Sequence, residues 1–153
     1  MSKLHKLLKL TGRDYCLLIN AFCLLGAIRL GLRVLPFRIL LRMIGKLGHP
    51  VGRKSSAAAI AANKVAISKI VWAVEISTRY MPGGAKCLAR ALTTKVLLDR
   101  QGDTPDLRIG VTKGANGALE AHAWIEHQGR VVIGNLRDLS QYIPLPSIEG
   151  VKL

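Results

Sequence analysis

The chain has 153 residues and a mass of 16.6 kDa, which is enough for one domain with a core of its own. Half of the residues are apolar, the mean hydropathy is +0.28 and three are cysteines, which excludes a disordered chain, a collagen-like repeat and a disulfide scaffold. The net charge is +14, and most of the excess lies in residues 1–54. This charge predicts an acidic peptide, a membrane surface or nucleic acid as partner.

Nucleic acid is the weakest of these three partners. The sequence has no zinc-finger spacing and no stripe of basic and aromatic residues, and its basic residues alternate with Leu and Ile. We therefore expect no specific nucleic-acid binding. The cysteines Cys16, Cys23 and Cys87 are odd in number and include no CxxC pair, so we expect a cytoplasmic protein. The basic N-terminal third leaves contact with a membrane surface open.

Helices are predicted before any strand. The first covers the apolar stretch 15–28 and begins near Asp14 as its N-cap. Because this stretch is shorter than the about 20 residues that a membrane span needs, we interpret it as a buried or interfacial helix. Pro36 separates it from a second, amphipathic helix, which a Gly-rich loop follows. The charge excess ends there, so we divide the chain into a basic helical segment, 1–54, and a core, 55–153.

The core is predicted to hold two more helices and then three strands. Ser55 or Ser56 caps the first of these helices, which ends before Pro82, and Cys87 opens the second, which Gly102 ends. The predicted strands are 107–112, 119–127 and 130–134. Because the helices precede the strands, the order favours an α+β fold over a parallel α/β sheet.

Cys87 has the position of a nucleophile. It follows a Gly-rich turn at the start of a predicted helix and has Lys86 beside it, and both the helix dipole and the ammonium favour the thiolate. A cysteine at a helix start more often packs than reacts. Simple packing is the interpretation that we give to Cys16 and Cys23.

His122 is the candidate base. If Gln128-Gly129 forms a two-residue hairpin loop, His122 lies directly opposite Asn135, with the two Cβ atoms about 5 Å apart. The amide would then orient the imidazole toward a thiolate, as in Cys-His-Asn proteases. A register slip of one residue would break this pairing, and Asp138 is the rival orienting group.

We expect no metal and no cofactor. His122 and His127 are an odd number of residues apart on one strand and so point to opposite faces. The sequence contains no HExxH motif, no paired cysteines with zinc spacing and no GxxxxGK phosphate loop.

Four pieces of the sequence form a recognisable set: KCLARAL at 86–92, LLDRQG at 97–102, LRIGV at 107–111 and AHAWIE at 121–126. Together they resemble the lasso-peptide biosynthesis leader proteases, which belong to the transglutaminase-like, papain-type cysteine proteases. The basic, Leu-rich helical lead-in is also typical, so the resemblance covers most of the chain. Since no separate leader-binding domain precedes it, the chain is similar to the stand-alone form of the protease.

The resemblance implies a papain/transglutaminase-like α+β core in which a helix bearing the cysteine packs on a small antiparallel sheet bearing the histidine. Cys87 would be the nucleophile and His122 the general base, and Trp124, in the same motif, is assigned to substrate binding. The third member of the family's site is usually an Asp about a strand after the His, and this chain departs from that pattern. Asn135 and Asp138 therefore both remain candidates for orienting His122.

The resemblance also implies an activity and a set of partners. Such proteases cut the leader from a ribosomally made lasso precursor peptide, together with a small leader-recognition protein, and free the amine that an asparagine-synthetase-like cyclase uses. Two alternatives stay open. One is a non-catalytic binding module whose basic face lies on a membrane or a partner protein, and the other is an acyltransferase that uses the same Cys-His pair.

Overall fold

The structure is a computed structural model that describes residues 11–47 and 57–146. Within these ranges, helices precede a small sheet, which confirms the predicted α+β class. The helices are α1 (Gly12–Val34), α2 (Phe37–Leu47), α3 (Ala57–Tyr80) and α4 (Cys87–Asp99). The strands are β1 (Asp106–Lys113), β2 (Leu119–His127), β3 (Arg130–Ile133) and β4 (Ile143–Pro144), with a 3₁₀ helix at Leu139–Gln141.

The sheet has the strand order β3-β2-β1-β4, and each neighbouring pair is antiparallel. The predicted two-residue loop between β2 and β3 is confirmed. Gln128 and Gly129 have φ angles of 50° and 73°, and positive φ at both central residues is the signature of a type I′ turn.

The predicted pairing of His122 with Asn135 is wrong. His127 pairs with Arg130 as expected from the loop, but a β-bulge between Ile125 and Glu126 shifts the register by one residue. Strand β3 then ends at Ile133, before it reaches Asn135. His122 therefore has its strand partner on the other side, at Gly110 of β1.

One hydrophobic core joins the helices to the sheet. Leu25 of α1, Ile70 of α3, Leu92 of α4 and Ile125 of β2 are all fully buried and belong to the same cluster. Helix α4, which starts at Cys87, lies against both the other helices and β2. The predicted boundary near residue 54 and the two serines predicted to cap α3 lie outside the described residues, but helices on both sides of that boundary contribute to this core.

The N-cap of helix α1 lies three residues before the predicted one, Asp14. Thr11 is the N-cap, and both its backbone N–H and its hydroxyl donate to Asp14 Oδ2, at 3.1 and 2.8 Å. Lys69 of α3 donates to Asp14 Oδ1 at 2.7 Å. Asp14 thus closes the first turn of α1 and ties that turn to α3.

The length of α1 also differs from the prediction, which considered only its apolar stretch. The helix has 23 residues with an 18-residue window of mean hydropathy 1.8, so it is long and apolar enough to cross a membrane by length and composition. One side of it nevertheless packs into the core through Ala21, Leu25 and Ile28, each at most 3% exposed. The helix is buried on one side only.

The ion pair at Asp14 is expected to make stability depend on pH in acid. Lys69 first, and then Thr11, lower the pKa of Asp14 from 3.8 to about 2. The stabilisation is therefore present above pH 3.8 and is lost as the pH falls toward 2. In urea unfolding, the free-energy difference between the wild type and an Asp14→Asn variant should shrink across that window. A difference that stays constant would contradict this assignment, and a Lys69→Met variant should weaken the pH dependence.

Candidate active site

Cys87 is the first residue of α4, as predicted. Gly83 and Gly84 have φ angles of 72° and 67°, a conformation that glycine adopts without strain, and they turn the chain between α3 and α4. Lys86 is the N-cap residue, in an extended conformation. The Cys87 side chain is half-buried and packs against the hydrophobic core. The thiol is thus held at a helix N-terminus by both the turn and the core.

The N-terminus of α4 offers hydrogen-bond donors beside the thiol. The first intrahelical bond runs from the N–H of Arg90 to the carbonyl of Lys86, at 3.2 Å. The lysine side chain at the N-cap has no acceptor atom, so it cannot satisfy the amides of the first turn. These amides are suited to bind an oxyanion that forms when a thiolate attacks a carbonyl.

Helix α1 braces the turn that precedes Cys87. Arg29 of α1 donates to the main-chain carbonyls of Pro82 and, at 3.3 Å, of Gly83. A side chain on Gly83 would meet this guanidinium, because an added Cβ would lie 2.8 Å from Arg29 Nη2. The basic N-terminal helix therefore contributes directly to the position of the candidate nucleophile.

His122 is fixed on β2 by a hydrogen bond to the main chain. Its Nε2 lies 2.7 Å from the carbonyl oxygen of Gly134. A carbonyl only accepts hydrogen bonds, so Nε2 carries the proton and donates it. Nδ1 is then the ring nitrogen that can take a proton from a thiol.

Two aromatic side chains enclose the His122 ring. Trp124 stacks on it with ring centroids 6.2 Å apart and an interplanar angle of 15°, and Tyr142 contacts it at 5.7 Å and 57°. The indole N–H of Trp124 donates to Glu126 Oε1 at 2.9 Å, and Glu126 Oε2 pairs with Arg108 Nε at 3.3 Å. Because the indole is itself held and a second ring contacts the imidazole, His122 has little freedom to rotate.

Tyr142 contacts His122 from the position between the 3₁₀ helix and β4. Its ring contacts His122, and its pKa is raised first by burial and then by the negative charges of Asp138, Glu120 and Cys87. The raised pKa keeps the phenol of Tyr142 neutral.

Tyr142 was not among the residues predicted from the sequence. It lies between the 3₁₀ helix and β4, and β4 has two residues, of which one is Pro144. Such a strand shows no alternation from which it could be predicted. In the structure, the Tyr142 side chain is 8% exposed. The only local signal in the sequence for such a buried residue was an aromatic side chain near two prolines.

The other predicted site residues are Asn135, Asp138 and Trp124. Asn135 and Asp138 are exposed, and the bond from His122 goes to the Gly134 carbonyl, so the orienting role of either side chain stays a prediction. Trp124 is 3% exposed and supports His122 from within the sheet, and its contact with substrate also stays a prediction.

No three His, Cys, Asp or Glu side chains come together as a metal site in residues 11–47 and 57–146. His127 lines a different surface from His122, in a groove against α3, and its Nε2 lies 3.8 Å from Asp103 Oδ1. The chemistry that the described site supports is proton transfer between a thiol and an imidazole.

We expect the substitution Gly134→Ala to destabilise the protein. The φ angle of Gly134 is +84°, and an added Cβ would lie 2.9 Å from both the carbonyl oxygen of Ala123 and Cβ of Trp124. Gly117 is the matched control, since its φ is +78° and an added Cβ would meet nothing within 4 Å. We expect Gly117→Ala to cost about 1–2 kcal/mol of unfolding free energy from backbone strain alone.

Gly134→Ala should cost more than this control, because it adds the collision with β2, and it should also displace the carbonyl that holds His122. Chemical denaturation of both variants measures the difference. Equal losses of stability would show that Gly134 does not pack against β2 as the structure describes.

Comparison with known proteins gives a match to a protein family but to no individual protein. No curated protein and no solved structure matches the chain. The family model of the transglutaminase-like superfamily matches residues 31–147 of the chain. These residues include α2, α3, α4 and the whole sheet. Members of this superfamily usually have cysteine protease or acyltransferase activity, which supports a Cys-His type of chemistry here. The match covers most of the chain, and the protein therefore belongs to the transglutaminase-like superfamily.

Proposed function

We propose that this protein is a cysteine peptidase that removes the leader from a ribosomally made lasso-peptide precursor. The observation that carries the chemistry is the hydrogen bond from His122 Nε2 to the Gly134 carbonyl, which leaves Nδ1 as the basic nitrogen. Cys87, at the N-terminus of α4, supplies the nucleophile. The sequence motifs around both residues resemble those of the lasso leader proteases. This resemblance is the reason that we propose a lasso precursor as the substrate.

In the first half of the reaction, His122 Nδ1 takes the proton of the Cys87 thiol. The thiolate attacks the carbonyl carbon of the scissile peptide bond, and the amides of the first turn of α4 stabilise the resulting oxyanion. The imidazolium then gives its proton to the leaving amine, so the C–N bond breaks and a thioester forms. The leaving amine is the N-terminus of the core peptide.

In the second half, His122 Nδ1 takes a proton from water, and the hydroxide attacks the thioester carbonyl. The C–S bond breaks, the leader leaves with a free carboxylate, and the thiol is restored. Throughout, the Gly134 carbonyl holds Nε2 and stabilises the imidazolium that forms in each step. The Trp124 and Tyr142 rings contact the imidazole and limit the access of water to it.

The positive charge of the chain is suited to an acidic leader. The net charge is +14, and Lys86 lies directly beside the nucleophile. We further propose that a small leader-recognition protein presents the precursor and that an asparagine-synthetase-like cyclase consumes the freed amine. These partners follow from the resemblance of the motifs around Cys87 and His122 to the lasso leader proteases.

Replacing Cys87 should abolish cleavage. Incubation of a candidate lasso precursor with its recognition protein and the wild type should give one cut, at the leader–core junction, in mass spectrometry. Cys87→Ala should be slower by at least about 10³-fold. Cys23, which we expected to pack in the interior, is an exposed thiol on α1, as is Cys16. Cys23→Ala is therefore the matched control, and this variant should keep full activity.

Three other results would change the proposal. Equal cleavage by the wild type and Cys87→Ala would remove Cys87 as the nucleophile. A Cys87-dependent product joined to an amine, in place of the free acid, would establish an acyltransferase. If the wild type cleaves nothing although the cognate partners are present, the peptidase function is wrong and a binding module is favoured.

The support of His122 by Trp124 gives a second prediction. Trp124→Phe keeps an aromatic ring but removes the N–H that donates to Glu126. Since the ring positions His122 and does not react, we expect kcat to fall by about tenfold with little change in KM. Trp72→Phe on α3, a half-buried site in a different groove, is the control and should leave both constants unchanged. A change confined to KM would instead assign Trp124 to substrate binding.

A further inference from the structure

The outer side of α1 is apolar although it is exposed. Ile19, Leu30 and Val34 are 63%, 61% and 71% exposed, and Phe22 is 39% exposed. No charged residue occurs between Asp14 and Arg29. A surface helix of a globular domain ordinarily carries polar residues on its outer side. We call this side of α1, with Tyr15 at its N-terminal end, the outer face.

The outer face continues into a groove between α1 and α3. Phe22 and Cys23 line one wall of this groove, and Ile76 and Tyr80 line the other. Its volume is about 240 Å³, and Tyr80 at its rim is 67% exposed. The exposed apolar surface is therefore wider than a single helix.

Exposed basic residues also occur at the C-terminal end of α1 and on α2. On α2, Arg38 and Arg42 are exposed and lie one turn apart, and the neighbouring row holds Ile39 and Met43, which are 45% and 50% exposed. Arg33 is exposed at the end of α1, and Asp14, the one acidic residue of 11–47, is occupied by Lys69. Rows of apolar and basic side chains on one surface are typical of helices that lie at the interface of anionic lipids.

We propose that the outer face of α1, together with α2, binds the surface of an anionic lipid bilayer, with α1 lying along the membrane plane. The apolar side chains enter the boundary between headgroups and acyl chains, and the arginines contact lipid phosphates. This charge pattern favours lipid over a second copy of the chain, because two copies would bring their own basic residues together.

The inner side of α1 argues against a transmembrane orientation. Leu25 and Ile28 are 0% and 3% exposed and lie in the core that also contains Leu92 of α4. Asp14 is paired with Lys69, and Arg29 binds the turn before Cys87. A membrane-spanning α1 would lose all of these contacts, whereas a helix lying on the surface keeps them.

The test is co-sedimentation of the full-length chain with vesicles. Vesicles of phosphatidylcholine with one quarter phosphatidylglycerol should bind the protein, and pure phosphatidylcholine vesicles should bind it at least tenfold more weakly. Binding should weaken as salt is raised, because the headgroup attraction is screened. The Cys87→Ala variant should bind like the wild type, so this result is independent of the peptidase activity.

Variants with matched controls locate the surface. Ile19→Ser/Leu30→Ser should lower the partition coefficient at least tenfold, while Leu119→Ser, a 76% exposed leucine on β2, should leave it unchanged. Arg38→Gln and Arg42→Gln should each lower binding to anionic vesicles by about fivefold, while Arg130→Gln at the β2–β3 hairpin should not. All of these side chains are exposed, so the core stays intact in each variant.

Four outcomes would overturn the proposal. The first is equal binding by Ile19→Ser/Leu30→Ser and the wild type, and the second is equal binding to neutral and anionic vesicles. The third is self-association in analytical ultracentrifugation that the Ile19→Ser/Leu30→Ser variant abolishes without vesicle binding, because a second copy would then cover the outer face. The fourth is resistance to alkaline carbonate extraction, which would show a transmembrane α1.

Discussion

The hydrogen bond between His122 Nε2 and the Gly134 carbonyl, at 2.7 Å, is the constraint on which the site depends. It fixes which ring nitrogen carries the proton, and so it decides which nitrogen can act as a base. Families of Cys-His enzymes commonly use a side-chain amide or carboxylate for this purpose. Here a main-chain carbonyl has that position, and it is available because β3 ends at Ile133 and a glycine with φ +84° follows.

Other parts of the fold hold His122 and Cys87 in place. On the histidine side, Trp124 and Tyr142 enclose the ring, and Gly110 leaves room for them, since an added Cβ would lie 2.9 Å from Trp124 Cη2. On the cysteine side, Arg29 of α1 binds the turn before Cys87. The inner side of α1 is thus part of the hydrophobic core and binds the turn before Cys87, and its outer face is exposed.

The sequence predicted those parts of the site that local signals encode. Glycines 83 and 84 mark the turn before Cys87, and the alternation of β2 places His122 and Trp124 on one face. The pairing with Asn135 was wrong because a bulge at Ile125 shifts the register, and a bulge depends on how the strand packs in the whole sheet. Tyr142 was missed because β4 is too short to show a period.

The most direct test of the account is the tautomer of His122, measured by ¹⁵N NMR on histidine-labelled protein. The Cys87→Ala variant is suited to this measurement because it removes the thiol that is proposed to exchange a proton with the imidazole, and His122→Gln assigns the signals. We predict the neutral Nε2–H tautomer, with Nδ1 unprotonated, since Nε2 donates to Gly134. A neutral Nδ1–H tautomer would contradict the account, because Nδ1 could not then accept the thiol proton.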